Sequence, residues 1–149
     1  DNSETIGEKL SALAAEKILY NIDEILEDKQ KFKDQNHKEA TYAPKIEKKE
    51  GQIKWSEAAE SIIGKINGLY PSPGAFFIYN GERHKILKAC LSLGSGEVGE
   101  VLDNQLEISC GNKKSIKVLE IQRQGKRPQN IGEFMLGSQI KKGSNLNNE

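Results

Sequence analysis

Two cysteines, Cys90 and Cys110, one methionine, one tryptophan and two histidines are all that 149 residues hold of these types. Cysteines so few and so spaced provide neither a disulfide framework nor a metal-ligand pattern. A chain of this length buries roughly 70% of its unfolded surface and needs no disulfides to fold, so a reduced, cytoplasmic setting is expected. No apolar run approaches the roughly 20 residues of a membrane-spanning helix, and no basic region followed by an apolar stretch opens the chain as a secretory signal would. The first residue is Asp1 and the only methionine is Met135, so a fragment or processed product is expected. With 30% charged residues, 36% hydrophobic residues and a mean hydropathy of −0.65, the expectation is a soluble chain of one compact domain plus an appendage.

Net charge is zero, but it is unevenly distributed. Residues 1–50 carry 12 acidic and 9 basic side chains, residues 51–81 balance, and residues 82–149 carry 8 acidic against 11 basic. Between Asn112 and Lys142 the excess reaches +6. An asymmetry of this kind points to a polyanionic partner for the second half.

Apolar residues at Ile6, Leu10, Leu13, Ile18, Ile22, Ile25 and Leu26 recur at helical spacing, and Thr5 with Glu8 predicts a capping box at the start of a helix over 6–27. Residues 30–51 read as a linker, charged and extended around Pro44. The next unit opens at Trp55-Ser56, with Ser56 as N-cap, an apolar stripe at Ala58, Ala59, Ile62, Ile63 and Ile66, and Gly68 as the stop. From Gly74 the period changes towards two. Strands are predicted at 75–79, 83–91, 99–102, 106–110 and 115–122, the first two joined by Asn80-Gly81, a strong hairpin signal. Asn130 caps a short helix over 131–136 that Gly137 stops, and the tail after Lys142 reads as frayed. The strand count and spacing fit an α+β domain built on a small OB-like β-barrel with flanking helices.

Chemistry is sparse. Neither His37 nor His84 has a nucleophile at useful spacing, so each reads as solvated or packed. The string Gly94-x-Gly96-x-x-Gly99 matches a dinucleotide fingerprint but lies between strands, without the helix N-terminus that would hold the phosphate. Both cysteines are expected to be buried, and Trp55 reads as a packing anchor. The feature that exceeds chance is basic: Gln122-Arg123-Gln124-Gly125-Lys126-Arg127-Pro128 places three cations in a Gly/Pro loop at a strand end, where small barrels hold nucleic-acid backbone. Arg123, Lys126 and Arg127, with Lys113, Lys114 and Lys117, are therefore the candidate phosphate-binding residues.

Several segments carry a resemblance. Ala40-Thr41-Tyr42-Ala43-Pro44-Lys45-Ile46, Glu50-Gly51-Gln52-Ile53-Lys54-Trp55-Ser56, Pro71-Ser72-Pro73-Gly74-Ala75-Phe76-Phe77, Lys85-Ile86-Leu87-Lys88-Ala89 and the run from Leu119 to Arg127, followed by Phe134-Met135-Leu136-Gly137, resemble the C-terminal portion of bacterial methionyl-tRNA formyltransferases. The match is collinear from about Thr5 to Leu146. It implies a parent enzyme that moves a formyl group from 10-formyltetrahydrofolate to initiator methionyl-tRNA. The folate and the catalytic asparagine, histidine and aspartate belong to a Rossmann-like N-terminal domain, so no catalytic residue, cofactor or metal is expected in this chain, which by itself would be inactive. On that reading residues 1–29 are the terminal helix of the missing catalytic domain, 30–51 a linker, and 52–149 an OB-like tRNA-binding domain. The missing domain and a second copy, through the orphan helix, are the other expected partners. The sequence departs from the family at Asn67, where many members have arginine, and at Ser72, where many have tryptophan. Related formyltransferases that act on sugar nucleotides, or other 10-formyltetrahydrofolate-dependent members such as those hydrolysing formyl-folate, share some of these segments and are the alternative, with a packing or oligomerisation role for this domain.

Overall fold

The computed structural model describes residues 1–29 and 31–147; Gln30, Asn148 and Glu149, within the expected linker and tail, lie outside the described residues. Helix α1 spans Ser3–Leu26, α2 Ala59–Leu69 and α3 Ile131–Leu136. Strands β1 (Ala75–Tyr79), β2 (Glu82–Ser92), β3 (Glu107–Ser109), β4 (Ser115–Arg123) and β5 (Gln129–Asn130) form one antiparallel sheet in the order β1-β2-β4-β3, with β5 on β4.

The hairpin between β1 and β2 follows from its turn. Tyr79 pairs with Glu82, leaving a two-residue loop in which Asn80 and Gly81 both have positive φ, 50° and 72°. Asparagine and glycine tolerate that conformation best, and its twist matches the strands it joins. The β2–β4 ladder then bends. Its register shifts between Ile86 and Lys88 and again between Lys88 and Ala89, where the partners step from Ile121 to Glu120 to Val118. One extra residue on each strand, Leu87 and Leu119, reverses which parity faces the core. Ile86 and Ile121 point inward before the bulges, and Val118 and Ile116 after them. Bulges of this kind increase local twist and curl a sheet.

The curl wraps around α2, whose Ile62 and Ile66 pack with Trp55, Phe77, Ile86, Val118 and Ile121 in one core. Full burial of such side chains stabilises by about 1.5–3 kcal/mol each. Trp55 is 1% exposed and meets Phe77 edge to face at 5.8 Å, the packing role expected of it.

Several expectations need correction. The named strands form an open mixed helix-and-sheet unit, without the closed ladder of a barrel. Residues 99–102 are not a strand but contribute single bridges, Val101 to Ile108 and Glu100 to Asn145. The cause is the turn before β3: the Asp103 carboxylate accepts the Gln105 and Glu107 N–H groups at 2.8 and 3.0 Å, and Leu106 has φ 58°. The helix-capping residues also differ. Asn2 caps α1, exchanging bonds with Thr5, rather than Thr5 with Glu8. Ser56 caps nothing; the N-cap of α2 is Ala58, which has no side-chain bond to offer. Gly68 lies inside α2. The tail is pinned through residue 147: Val101 N–H donates to Ser144 O at 2.9 Å, Leu146 N–H to Gly99 O at 2.9 Å, and Ile140 and Leu146 are buried. Cys90 is exposed, whereas Cys110 is buried as expected.

None of the described residues of α1 is buried. Its contact with the rest of the chain is at the N-terminal end, where the Ser3 hydroxyl donates to Tyr70 O. Among the described residues, no helix is long and apolar enough to cross a membrane.

Candidate nucleic-acid interface

The six candidate basic residues lie at opposite ends of β4. Lys113 and Lys114 sit in the β3–β4 turn and Lys117 near the start of the strand. Arg123 closes the strand, and Lys126 and Arg127 follow in the exposed loop. At about 3.3 Å per residue, Lys117 and Arg123 are roughly 20 Å apart.

Two of the first group, Lys114 and Lys117, already face carboxylates. Lys114 donates to the Glu60 carboxylate, which also accepts from Asn112 Nδ2 at 2.7 Å; the Lys114 contact, then Glu60's own backbone, holds that carboxyl below its usual pKa. Lys117 lies 3.5 Å from Glu107. Burial raises the pKa of Glu107, but hydrogen bonds from Ser115 and Ser92, the Lys117 charge and the Gly94 N–H together outweigh it, leaving the carboxyl below its ordinary value. The Gly94 bond, 3.2 Å long, also explains what the glycine string does. A donor that a dinucleotide fingerprint would aim at phosphate is spent on the chain's own carboxylate.

The second group stands free. Among the described residues, Arg123, Lys126 and Arg127 form no ion pair, and the loop is held by backbone instead: Lys126 N–H donates to Arg123 O at 3.0 Å and Gln122 Nε2 donates to Lys126 O at 2.8 Å. The Arg123 guanidinium carbon lies 5.3 Å from the Phe134 ring centre.

Two cations that the run of 113–127 does not contain join this end of the molecule. Arg83 and Lys85 line a shallow concavity of about 310 Å³ with Gln122, Arg123, Gln124 and Gly125. The Arg83 guanidinium carbon sits 3.8 Å from the centre of the Phe76 ring, and its Nη2 reaches Pro73 O at 3.5 Å. Lys85 Nζ donates to Pro71 O at 3.3 Å. Its stem lies against Gly74, where a Cβ would come within 2.5 Å of Lys85 Cδ. Burial, then the Arg83 charge, holds Lys85 below its ordinary pKa. The sequence signal was present: Arg83 and Lys85 flank buried His84 at period two and so share the opposite face of β2.

His84 is 4% exposed, stacked on Phe77 at 5.2 Å and edge-on to Phe134 at 5.7 Å, with Nδ1 2.9 Å from Glu82 O. Burial holds its pKa below the ordinary value against the opposing effects of Glu82. It is a packed residue on a small cavity, not a base beside a nucleophile.

The sequence pattern of the formyl transferase C-terminal domain matches residues 45–139. The chain belongs to this family. It is 69% identical over 148 residues to the methionyl-tRNA formyltransferase of Pelagibacter ubique, a match that covers 99% of this chain and 48% of that protein. The corresponding enzyme of Paramagnetospirillum magneticum is 43% identical over 71% of the chain and 34% of its own length. That of Bradyrhizobium diazoefficiens is 36% identical over 93% and 46%. The chain thus spans about half the length of the curated relatives it matches. Among solved structures, HypX from Aquifex aeolicus in complex with tetrahydrofolic acid superposes with a TM-score of 0.63 at 18% identity, covering 87% of this chain and 24% of that one. This likeness concerns the fold. Within the formyl transferase C-terminal domain, the family match takes in β1 to β5 and both groups of basic residues but leaves α1 outside.

Proposed function

We propose that this chain is the C-terminal part of a methionyl-tRNA formyltransferase and that it contacts the phosphate backbone of initiator tRNA. The observation that carries the reading is the 69% identity to a methionyl-tRNA formyltransferase across 99% of the chain. The parent transfers a formyl group from 10-formyltetrahydrofolate to the methionyl amino group. Folate and chemistry reside in an N-terminal catalytic domain of Rossmann-like form, while residues 52–149 supply binding and act in the cytoplasm. The sheet, bulged in its β2–β4 ladder and extended beyond β1 and β3 by the Gln52–Phe76 and Val101–Ile108 bridges, supports an OB-like curl for this domain.

The centre of the surface is Arg123, Lys126 and Arg127, free of carboxylates among the described residues. Lys113, Lys114 and Lys117 form a second, weaker patch, because Lys114 and Lys117 already face Glu60 and Glu107. Helix α1 belongs to the catalytic domain, and its apolar stripe, with Ile6, Leu10 and Leu13 about half exposed, packs on that domain's sheet. Deprived of it, the stripe drives self-association.

Titration of the chain with initiator tRNA over a range of salt tests the reading. Binding should weaken steeply with salt, as phosphate neutralisation by Lys and Arg requires. Changing Lys126 and Arg127 together to glutamate should reduce affinity and flatten the salt slope. Unchanged affinity and slope in a folded double variant would remove the loop from the contact surface.

A further inference from the structure

The outer face of β2 carries two cations that no described carboxylate neutralises. Arg83 and Lys85 are two residues apart on one strand, hence about 6–7 Å apart on the same face. They pair across the sheet with Ile78 and Phe76 on one side, and Lys85 pairs with Gln122 on the other. No described carboxylate forms an ion pair with either. Glu82, the acidic neighbour in sequence, turns its carboxylate to within 3.7 Å of His84, on the opposite face.

Both side chains are also held in place. The guanidinium carbon of Arg83 lies 3.8 Å from the centre of the Phe76 ring, Phe76 itself is buried, and Arg83 Nη2 reaches Pro73 O at 3.5 Å. Lys85 passes over Gly74 to Pro71 O. Two like charges fixed side by side without a counterion repel each other. An anion between them relieves that repulsion, and the conformational entropy of the two long side chains is already spent. The concavity they line continues through Gln122, whose amide is bonded to the Lys126 carbonyl, so it runs directly into the basic loop.

We propose that Arg83 and Lys85 form a second phosphate seat on the outer face of the β1–β2 hairpin, contiguous with the 123–127 loop, which grips the backbone of structured RNA. The seat rests on the tRNA-binding reading above. It takes a phosphodiester rather than an acidic peptide because the concavity it lines is shared with Gln122, Arg123, Gln124 and Gly125 at the start of the basic loop, and regularly spaced phosphates match cations set along one such surface.

The test measures tRNA affinity against salt for the unaltered chain, for Lys85→Gln, for Arg83→Gln and for the double variant, with thermal unfolding of each. Each lost contact should reduce the magnitude of the log–log slope by about 0.7–0.9, and the double variant by about twice that. The weakening should be the same for initiator and elongator tRNA, since backbone contacts carry no sequence information. Arg83→Gln also removes the stack on Phe76, so Lys85→Gln, which leaves that stack in place, decides if the first variant is unstable. A folded Lys85→Gln that keeps the parental slope overturns the seat while leaving tRNA binding by the 123–127 loop intact. Absence of salt-dependent tRNA binding by the unaltered chain overturns both. A chain that binds an acidic peptide through Arg83 and Lys85 in preference to tRNA overturns the choice of ligand.

Discussion

Asn112 Oδ1 accepts the Ala59 N–H at 3.1 Å, so the first turn of α2 is capped from the β3–β4 turn, 53 residues away in sequence. The same side chain donates to Glu60 at 2.7 Å, and Gly111 N–H donates to Glu57 O at 3.0 Å. A helix whose own N-cap is alanine thereby obtains an N-cap bond from the sheet, and the bond locks α2 to the hairpin. Asn112→Ala should therefore lower stability by about 1 kcal/mol, the usual cost of losing such a cap. Asn112→Asp should be no better, because its second oxygen would face the Glu60 carboxylate. Chemical denaturation of both variants checks this, with Ser56→Ala expected to be neutral.

His84 predicts a specific pH dependence. Its pKa in the folded chain lies below the unfolded value because burial disfavours the charged ring. The unfolded chain consequently binds a proton that the folded chain does not, in the interval between the folded value and about 6.5. The contribution of this group to stability is complete above about pH 6.5 and is lost as pH falls through the interval. His84→Phe, which keeps the stack between Phe77 and Phe134, should flatten the stability profile just below pH 6.5. An unchanged slope there would assign the pH dependence to other groups.

The two thiols should be separable by reactivity. Cys90 is exposed on β2, while Cys110 is 2% exposed and burial pushes its thiol up to about 11. The thiolate is the reacting species. At pH 8 an alkylating reagent should modify Cys90 in the folded chain and reach Cys110 only after denaturation. Rapid modification of both under native conditions would contradict the burial of Cys110.

Local chemistry was legible in the sequence and long-range chemistry was not. Asn80-Gly81 demands positive φ at two successive residues, so the hairpin and the limits of β1 could be read directly. Asn130 likewise caps α3 through the Glu133 N–H at 3.0 Å, as expected. The failures are features in which a distant residue replaces a local one. Asn112 takes the place of Ser56, and the pinned 143–146 segment replaces a frayed tail because its partners, Gly99 and Val101, lie over 40 residues upstream. The paired bulges at Leu87 and Leu119 were hidden because each looks like ordinary strand until its partner's register is known. At the candidate site the same division holds. Contiguous basic residues in 113–127 stood out as a run, while Arg83 and Lys85, separated by a buried histidine, join it only across the β2–β4 ladder.

The last prediction concerns α1. Its capping by Asn2 and Thr5 and its length of 24 residues favour a helix locally, but isolated helices are marginal in water and most helical stability in proteins comes from packing an apolar face. Here that packing is missing. Ile6, Leu10, Leu13, Ile18 and Leu26 are 47–76% exposed, so the roughly 1.5–3 kcal/mol that each would contribute on full burial is largely unrealised. At concentrations low enough to keep the chain monomeric, removing residues 1–29 should therefore change the unfolding free energy of the remaining domain by no more than about 0.5 kcal/mol. Amide exchange in α1 should be far faster than in β4, because local opening of α1 exposes little additional apolar surface. Raising the concentration should slow exchange in α1 specifically if its stripe meets a second copy, and sedimentation should then show a species heavier than the monomer. A domain that loses several degrees of thermal stability on deletion, or an α1 as protected as β4 in a dilute monomer, would mean that the helix packs on residues 52–147 in solution and is no detached piece of another domain.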